Sequence, residues 1–214
     1  MCLTLERRPL FVYVHLVTLL IIRIVILSAV SLRDAVLAAL LEGEASGYDL
    51  AKRFDASVAN FWMATPQQLY RELDRLAGQG LIQARIVHQD RRPNKRMLSL
   101  TEAGYEAILQ FTARAPKPAA IRDELAVKVL AIDAGNAPAV RDFMVERLQW
   151  AKAKLQRYER MRARMLDGRS ESEYLDQAER VGPYLTLLRG ISFEKENVRW
   201  GERALAIIER RLPV

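Results

Sequence analysis

The sequence predicts a mainly α-helical chain in two parts. An N-terminal domain of three helices is closed by a two-stranded β-hairpin, and a C-terminal domain of long helices follows. Three observations carry this. A sharply capped amphipathic helix beginning at Thr65 runs into two β-branched stretches separated by a polar turn. From Pro138 to Leu166 and again from Pro183 to Arg211, apolar residues recur at helical spacing. Gly and Pro are scarce, at 10 and 8 in 214 residues, which fits a folded, helix-rich chain long enough to bury a core.

The segment from Thr65 to Thr101 is the centre of the first domain. Thr65 is placed to act as N-cap, Pro66 suits the first helical position, where no N–H is required, and Gln68 sits where its side chain can close a capping box. Leu69, Leu73, Leu76 and Ala77 form one apolar stripe. Gln67, Gln68, Arg71, Asp74 and Arg75 then point elsewhere, so one face packs and the other is free to read a partner. Gly78 and Gly80 end the helix. Leu81 to Val87 and Arg96 to Leu100 read as strands joined by the turn Asp90 to Lys95, and the hairpin gathers Arg85, Arg91, Arg92, Lys95 and Arg96 against Asp90 alone. A helix followed by a basic hairpin is the winged helix-turn-helix arrangement. In it a recognition helix enters the major groove and the wing meets phosphate or the minor groove.

Earlier in the chain, Ser31 is expected to cap a helix with Leu32, Val36, Leu37, Leu40 and Leu41 inward, ending at Gly43. Glu44 to Gly47 reads as a turn, and Tyr48 to about Ser57 as a second helix with Leu50, Ala51 and Phe54 inward. Phe61 and Trp62 are expected in the core, base stacking being the second reading. After the hairpin, Thr101 caps Glu102 to about Ala113, with Tyr105, Ile108, Leu109 and Phe111 as its apolar residues, and Ala115 to Pro118 reads as a linker.

In the second half, Ile121 to Ala134 carries Leu125, Val129 and Ile132. The long helix from Pro138 is expected to pack through Phe143, Leu148, Ala151, Leu155, Tyr158, Met161 and Met165. Its basic run from Arg147 to Arg164 then reads as a solvated face rather than a second nucleic-acid surface. Ser170 opens a stretch running to Leu212. Two such helices have more apolar stripe than one copy can cover, which points to pairing of two chains through Leu185, Leu188, Trp200, Leu205 and Ile208.

Residues 1 to 30 stand apart. Leu10 to Val30 is long enough to cross a bilayer but contains His15 and Arg23, so three readings stay open: a start assigned upstream of the natural one, a membrane anchor, or an added packing element. The domain boundaries read from the sequence are 1–30 for this extension, 31–114 for the winged domain, 115–120 for a linker and 121–214 for the helical domain.

Bulk properties narrow the function. The net charge of +7 fits nucleic acid or a membrane surface, yet residues 31 to 114 carry 11 Lys and Arg against 10 Asp and Glu, so positive charge there is local to the wing. Cys2 is the single cysteine, which rules out an internal disulfide and makes the cytoplasm the default setting. The two histidines, His15 and His88, lie far apart with no thiol near them. Zinc spacing, P-loop, dinucleotide fingerprint and nucleophile elbow are all absent from the sequence, which argues against an enzyme and implies no cofactor.

LRDAVLAALLEGEASGYDLAKRF at 32 to 54, FWMATPQQLYRELDRLAGQGLI at 61 to 82, RRPNKRMLSLTEAG at 91 to 104, IRDELAVKVL at 121 to 130 and LLRGISFEKENVRWGERALAII at 187 to 208 together cover nearly everything from Ser31 onward. In this set the chain resembles the PadR family of bacterial transcriptional regulators. Gly47-Tyr48, Gln68 to Arg71 and Thr101 to Gly104 are the most specific pieces, with Arg199-Trp200 in support. The resemblance implies a homodimer with an N-terminal winged helix and a C-terminal helical dimerisation domain, acting as a repressor relieved by a small-molecule effector. It implies contacts to double-stranded DNA from Gln67, Gln68, Tyr70, Arg71 and the wing, and a two-fold pair of chains then calls for an inverted-repeat operator. Arg75 stands beside them on the same helix. The first 30 residues have no counterpart in the family pattern. The competing expectation is a winged-helix protein-interaction module tethered to a membrane by that extension.

Overall fold

In a computed structural model of the chain, residues 32–57, 64–88, 94–116 and 122–211 are described. The expected cap at Ser31, the apolar stretch Leu10 to Val30, the core positions of Phe61 and Trp62, the wing tip with Arg91 and Arg92, Lys117 and Pro118 of the linker, and Leu212 lie outside those residues. The chain forms two compact units, one up to Arg114 and one from Ala115.

The first unit is a winged helix. Helix α1 (Leu32–Leu40) is followed by strand β1 (Ala45–Ser46), helix α2 (Gly47–Ser57), helix α3 (Pro66–Gly78), strands β2 (Ile82–Val87) and β3 (Lys95–Leu100), and helix α4 (Glu102–Thr112). Val36 and Leu37 of α1, Leu50 of α2 and Leu76 of α3 are fully buried, and Ile82, Leu98 and Leu100 carry the same core onto the sheet. Thr65 caps α3 in the expected capping box. At the other end Gly80 takes a positive φ of 70°, and Leu81 N–H donates to Leu76 O while Gly80 N–H donates to Ala77 O. This Schellman geometry turns the chain directly into β2, and Gly80, not Gly78, is the residue that requires glycine.

One expectation for this unit needs correction. The sheet has three strands, in the order β1-β3-β2, because Ala45 and Ser46, read as a turn, pair antiparallel with Leu98 and Met97. Two residues leave no periodic signal, and only the partner strand reveals them. Helix α4 uses only part of its apolar set to pack. Gly104 and Ala107 are buried, whereas Tyr105 and Leu109 are 56% and 65% exposed. Small residues let α4 approach the chain at Leu81, and of its larger apolar residues Ile108 packs on the core while Tyr105 and Leu109 stay out.

The second unit contains helix α5 (Glu124–Leu130), a 3-10 turn (Ile132–Ala134), helix α6 (Ala137–Leu166), helix α7 (Glu171–Gln177) and helix α8 (Gly182–Arg211). Helices α6 and α8 have 30 residues each, about 45 Å at 1.5 Å per residue. They form an antiparallel hairpin, as Lys152 to Glu202, Lys154 to Glu194 and Arg162 to Tyr184 show by running in opposite directions. Met144, Ala151 and Tyr158 of α6 and Tyr184, Leu187, Ile191, Leu205 and Ile208 of α8 are buried. The stretch that opens at Ser170 divides at residues 178–181, and its second helix begins at the expected Pro183 to within one residue. Pro183 has no N–H to give an incoming helix, and its ring would meet the carbonyl four residues back. Phe143, expected inside, is 45% exposed, its ring 4.8 Å from Lys128 Nζ. Val140 and Met144 take the inward positions on either side of it.

Candidate nucleic-acid interface

The exposed face of α3 is set by its capping and its buried stripe. With Leu69, Leu73 and Leu76 held in the core, Gln67, Tyr70, Arg71, Asp74 and Arg75 are all exposed. Gln67, Arg71 and Asp74 follow one another at four and three residues and lie along one line of the helix. Arg71 forms no ion pair among the described residues. Gln68 is differently employed: its Oε1 accepts the Thr65 N–H at 2.9 Å while its own N–H donates to Thr65 Oγ1 at 3.2 Å. It belongs to the cap that fixes the start of the helix, which holds its side chain toward Thr65. Arg75 Nε lies 3.4 Å from Glu72 Oε1 one turn back.

Tyr70 is 44% exposed and rests on Gly47 at the start of α2, where an added Cβ would meet Tyr70 Cε1 at 2.6 Å. The neighbouring Tyr48 is 68% exposed. Strand β3 completes the face, and a cavity of about 390 Å³ opens between α2, α3 and the wing, lined by Tyr48, Asp49, Tyr70, Asp74, Lys95 and Arg96 among others. Among the described residues, the wing cations are held from inside the unit. Arg85 Nη2 lies 2.7 Å from Glu44 Oε1, Lys95 Nζ 2.7 Å from Asp49 Oδ2, and Arg96 Nη1 3.2 Å from Asp74 Oδ1. The Lys95 hydrogen bond, and after it the one from the Ser46 hydroxyl, hold the Asp49 carboxyl below its ordinary range. The structure therefore brings Tyr70, Lys95 and Arg96 into one cluster. Asp49 and Tyr48, absent from the face expected from the sequence, stand beside Lys95 here, and the Gly47-Tyr48 pair directly before Asp49 is the local signal for them.

In the second unit the residues expected to pair two chains separate into two sets. Leu185 is 55% and Trp200 39% exposed, and Leu188 is half-buried. Leu205 and Ile208 are 8% and 6% exposed and pack on Met144 of the same chain, so they belong to the hairpin's own core. Helical periodicity places all five on apolar faces, but it cannot say which face the neighbouring α6 takes. The basic run of α6 is largely matched within the unit, Arg147 by Asp123, Lys152 by Glu202, Lys154 by Glu194 and Arg162 by Glu171. A smaller cavity of about 200 Å³ is lined by Asp123, Arg147, Asn197 and Trp200 among others. Among the described residues no helix is long and apolar enough to cross a membrane, and no three His, Cys, Asp or Glu are grouped to hold a metal.

A capped recognition helix, a basic three-stranded wing and a long-helix hairpin in a separate unit define the winged-helix regulators with a helical C-terminal domain. The model of the transcriptional regulator PadR-like family matches residues 36–110, and that of the virulence activator alpha C-terminal domain matches residues 121–209. The probable transcriptional regulator Rv1176c of Mycobacterium tuberculosis is 31% identical over 193 residues, covering 85% of this chain and 100% of that protein. The negative transcriptional regulator PadR of Bacillus subtilis is 29% identical over 180 residues, covering 84% and 98%. The crystal structure of Bacillus subtilis PadR in complex with operator DNA superposes with a TM-score of 0.67 at 30% identity, over 83% of this chain and 98% of that one. Its structure in complex with p-coumaric acid gives 0.62 at 29%, over 83% and 95%. The chain belongs to the PadR-like family of transcriptional regulators.

Proposed function

We propose that the chain is a homodimeric, sequence-specific DNA-binding regulator, a repressor released by a small molecule, and not an enzyme. The observation that carries this is the line Gln67, Arg71 and Asp74 on an exposed helix face beside Lys95 and Arg96 of the wing. Gln and Arg are the side chains that read adenine and guanine edges bidentately, and wing cations suit phosphate. The operator complex of the Bacillus subtilis relative supports the same use here. In this reading residues 31–114 bind DNA, 115–120 link, and 121–214 pair two copies through the exposed Leu185 and Trp200 with the half-buried Leu188. One recognition helix specifies only a few base pairs, so a two-fold pair on an inverted repeat, with half-sites about 34 Å apart, supplies the rest.

The effector is placed in the cavity beside Arg147 and Trp200, where a cation and an aromatic ring stand together. The p-coumaric acid complex of the relative supports an aromatic acid as the first probe. The test is a selection from a randomised duplex pool, followed by titration of the selected and a random duplex over a range of salt, with and without p-coumaric acid. Phosphate-led binding weakens linearly on a log–log salt plot. Equal affinity for both duplexes would overturn the assignment.

A further inference from the structure

The described cations of the wing do not stand free, and the acids that hold them come from other elements: Glu44 from the loop before β1, Asp49 from the first turn of α2 and Asp74 from α3. The unit as a whole is nearly neutral, with 11 Lys and Arg against 10 Asp and Glu between residues 31 and 114. A surface meant simply to adhere to DNA has no use for that balance. Resting on the reading above, we propose that Asp49 and Asp74 are specificity-determining residues that stand in for phosphate on Lys95 and Arg96, releasing them only when the correct duplex is seated.

The physical argument is one of exchange. All four side chains are between 38% and 74% exposed, and ion pairs at such exposure are individually weak, so a phosphate can replace the carboxylate. The exchange leaves a carboxylate without its paired cation close to a polyanion, and on a random duplex little compensates for that. Asp74 sharpens the difference because it lies on the same line of α3 as Gln67 and Arg71. Wherever those two reach base edges, Asp74 is carried into or beside the groove, where a carboxylate repels phosphate and accepts from the cytosine amino group. Correct base contacts offset the lost ion pairs; incorrect ones do not. The acids thus lower random binding more than operator binding.

The experiment uses the full chain with Asp49→Asn, Asp74→Asn and both together. Glu106→Gln, an exposed acid of α4, is the control for net charge. Each is titrated with a random-sequence duplex and with a duplex selected by the unmutated chain. For each Asp→Asn change the random duplex should bind about fivefold to tenfold tighter near 0.1 M salt, with a log–log slope steeper by about 0.9, as expected for one more cation available to phosphate. The selected duplex should gain less, so the ratio of the two affinities falls. A second arm uses Lys95→Met and Arg96→Met, which keep most of the apolar stem without the charge. These should weaken the selected duplex and leave the random one nearly unchanged. Unaltered slopes, equal gains on both duplexes, or a Glu106→Gln variant behaving like the Asp variants would each overturn the inference. Absence of salt-dependent binding by the unmutated chain would instead overturn the DNA-binding reading.

Discussion

A β-carbon on Gly104 would stand 2.2 Å from the carbonyl oxygen of Leu81, so the first turn of α4 rests directly on the backbone that leaves the recognition helix. The same backbone is held by Thr101, whose hydroxyl donates to Gly80 O at 2.6 Å and whose N–H donates to Leu81 O at 3.1 Å. Gly104→Ala must therefore move main chain, not a flexible side chain. Overpacking of this kind costs about 1–3 kcal/mol. A lowered urea midpoint with an unchanged slope is expected; a variant as stable as the parent would show that α4 is free to shift.

On α3, adjacent glutamines should behave differently. Gln67→Ala and Arg71→Ala should lose about 1–3 kcal/mol on a selected duplex and little on a random one, as removal of a base contact does. Gln68→Ala should instead act through the cap, lowering stability by roughly 0.5–1 kcal/mol while leaving the specificity ratio near that of the parent. Thermal melts beside paired duplex titrations distinguish the two.

For assembly, Leu185→Glu with Trp200→Glu is expected to give monomers whose helix content is unchanged, because both side chains are exposed in the single chain. Leu205→Glu is expected to unfold the second unit by placing a charge against Met144. Sedimentation and circular dichroism on both separate a pairing surface from a core. A double variant that still sediments as a dimer moves the pairing surface elsewhere.

A three-residue clamp joins α6, α7 and α8. Tyr184 O–H donates to Glu171 Oε2 at 2.8 Å, and the Arg162 guanidinium donates both to that carboxylate and to the Tyr184 hydroxyl. The Arg162 hydrogen bond, followed by that of Tyr184, pulls the Glu171 carboxyl below its ordinary 4.5. A group depressed in the folded state stabilises above its unfolded pKa and loses that contribution as pH falls through the folded value. Stability of the second unit should thus decline below about pH 4.5, and Glu171→Gln should flatten that decline while lowering stability at neutral pH. Chemical denaturation at a series of pH values reads both.

How much of this was legible beforehand depended on the range of the signal. Thr65, Pro66 and Gln68 state a helix start within four residues, and Leu69, Leu73 and Leu76 state its buried side, so α3 could be read from the chain alone. Contacts made by the smallest side chains could not: Gly104 and Ala107 carry almost no hydropathy, yet they set the face on which α4 packs. Nor could the choice between apolar faces of α8, where burial of Leu205 against Met144 is settled by the neighbour. The partners of Lys95 and Arg96 come from 46 and 22 residues away, at Asp49 and Asp74. No local pattern reports such pairings.

The order β1-β3-β2 leaves β2 with β3 on one side and no strand on the other among the described residues. Ile82-Gln83-Ala84-Arg85-Ile86-Val87 is the kind of segment that recruits a like strand from a second molecule, and Ile86 is 62% exposed on it. Arg85 is the single charge in that run, and stacking two such edges would bring like charges together. The cation gathered into the wing is thus also a gatekeeper against fibrous association. Replacing it with valine, harmless by any count of core contacts, should shorten the time this protein stays clear in solution at high concentration.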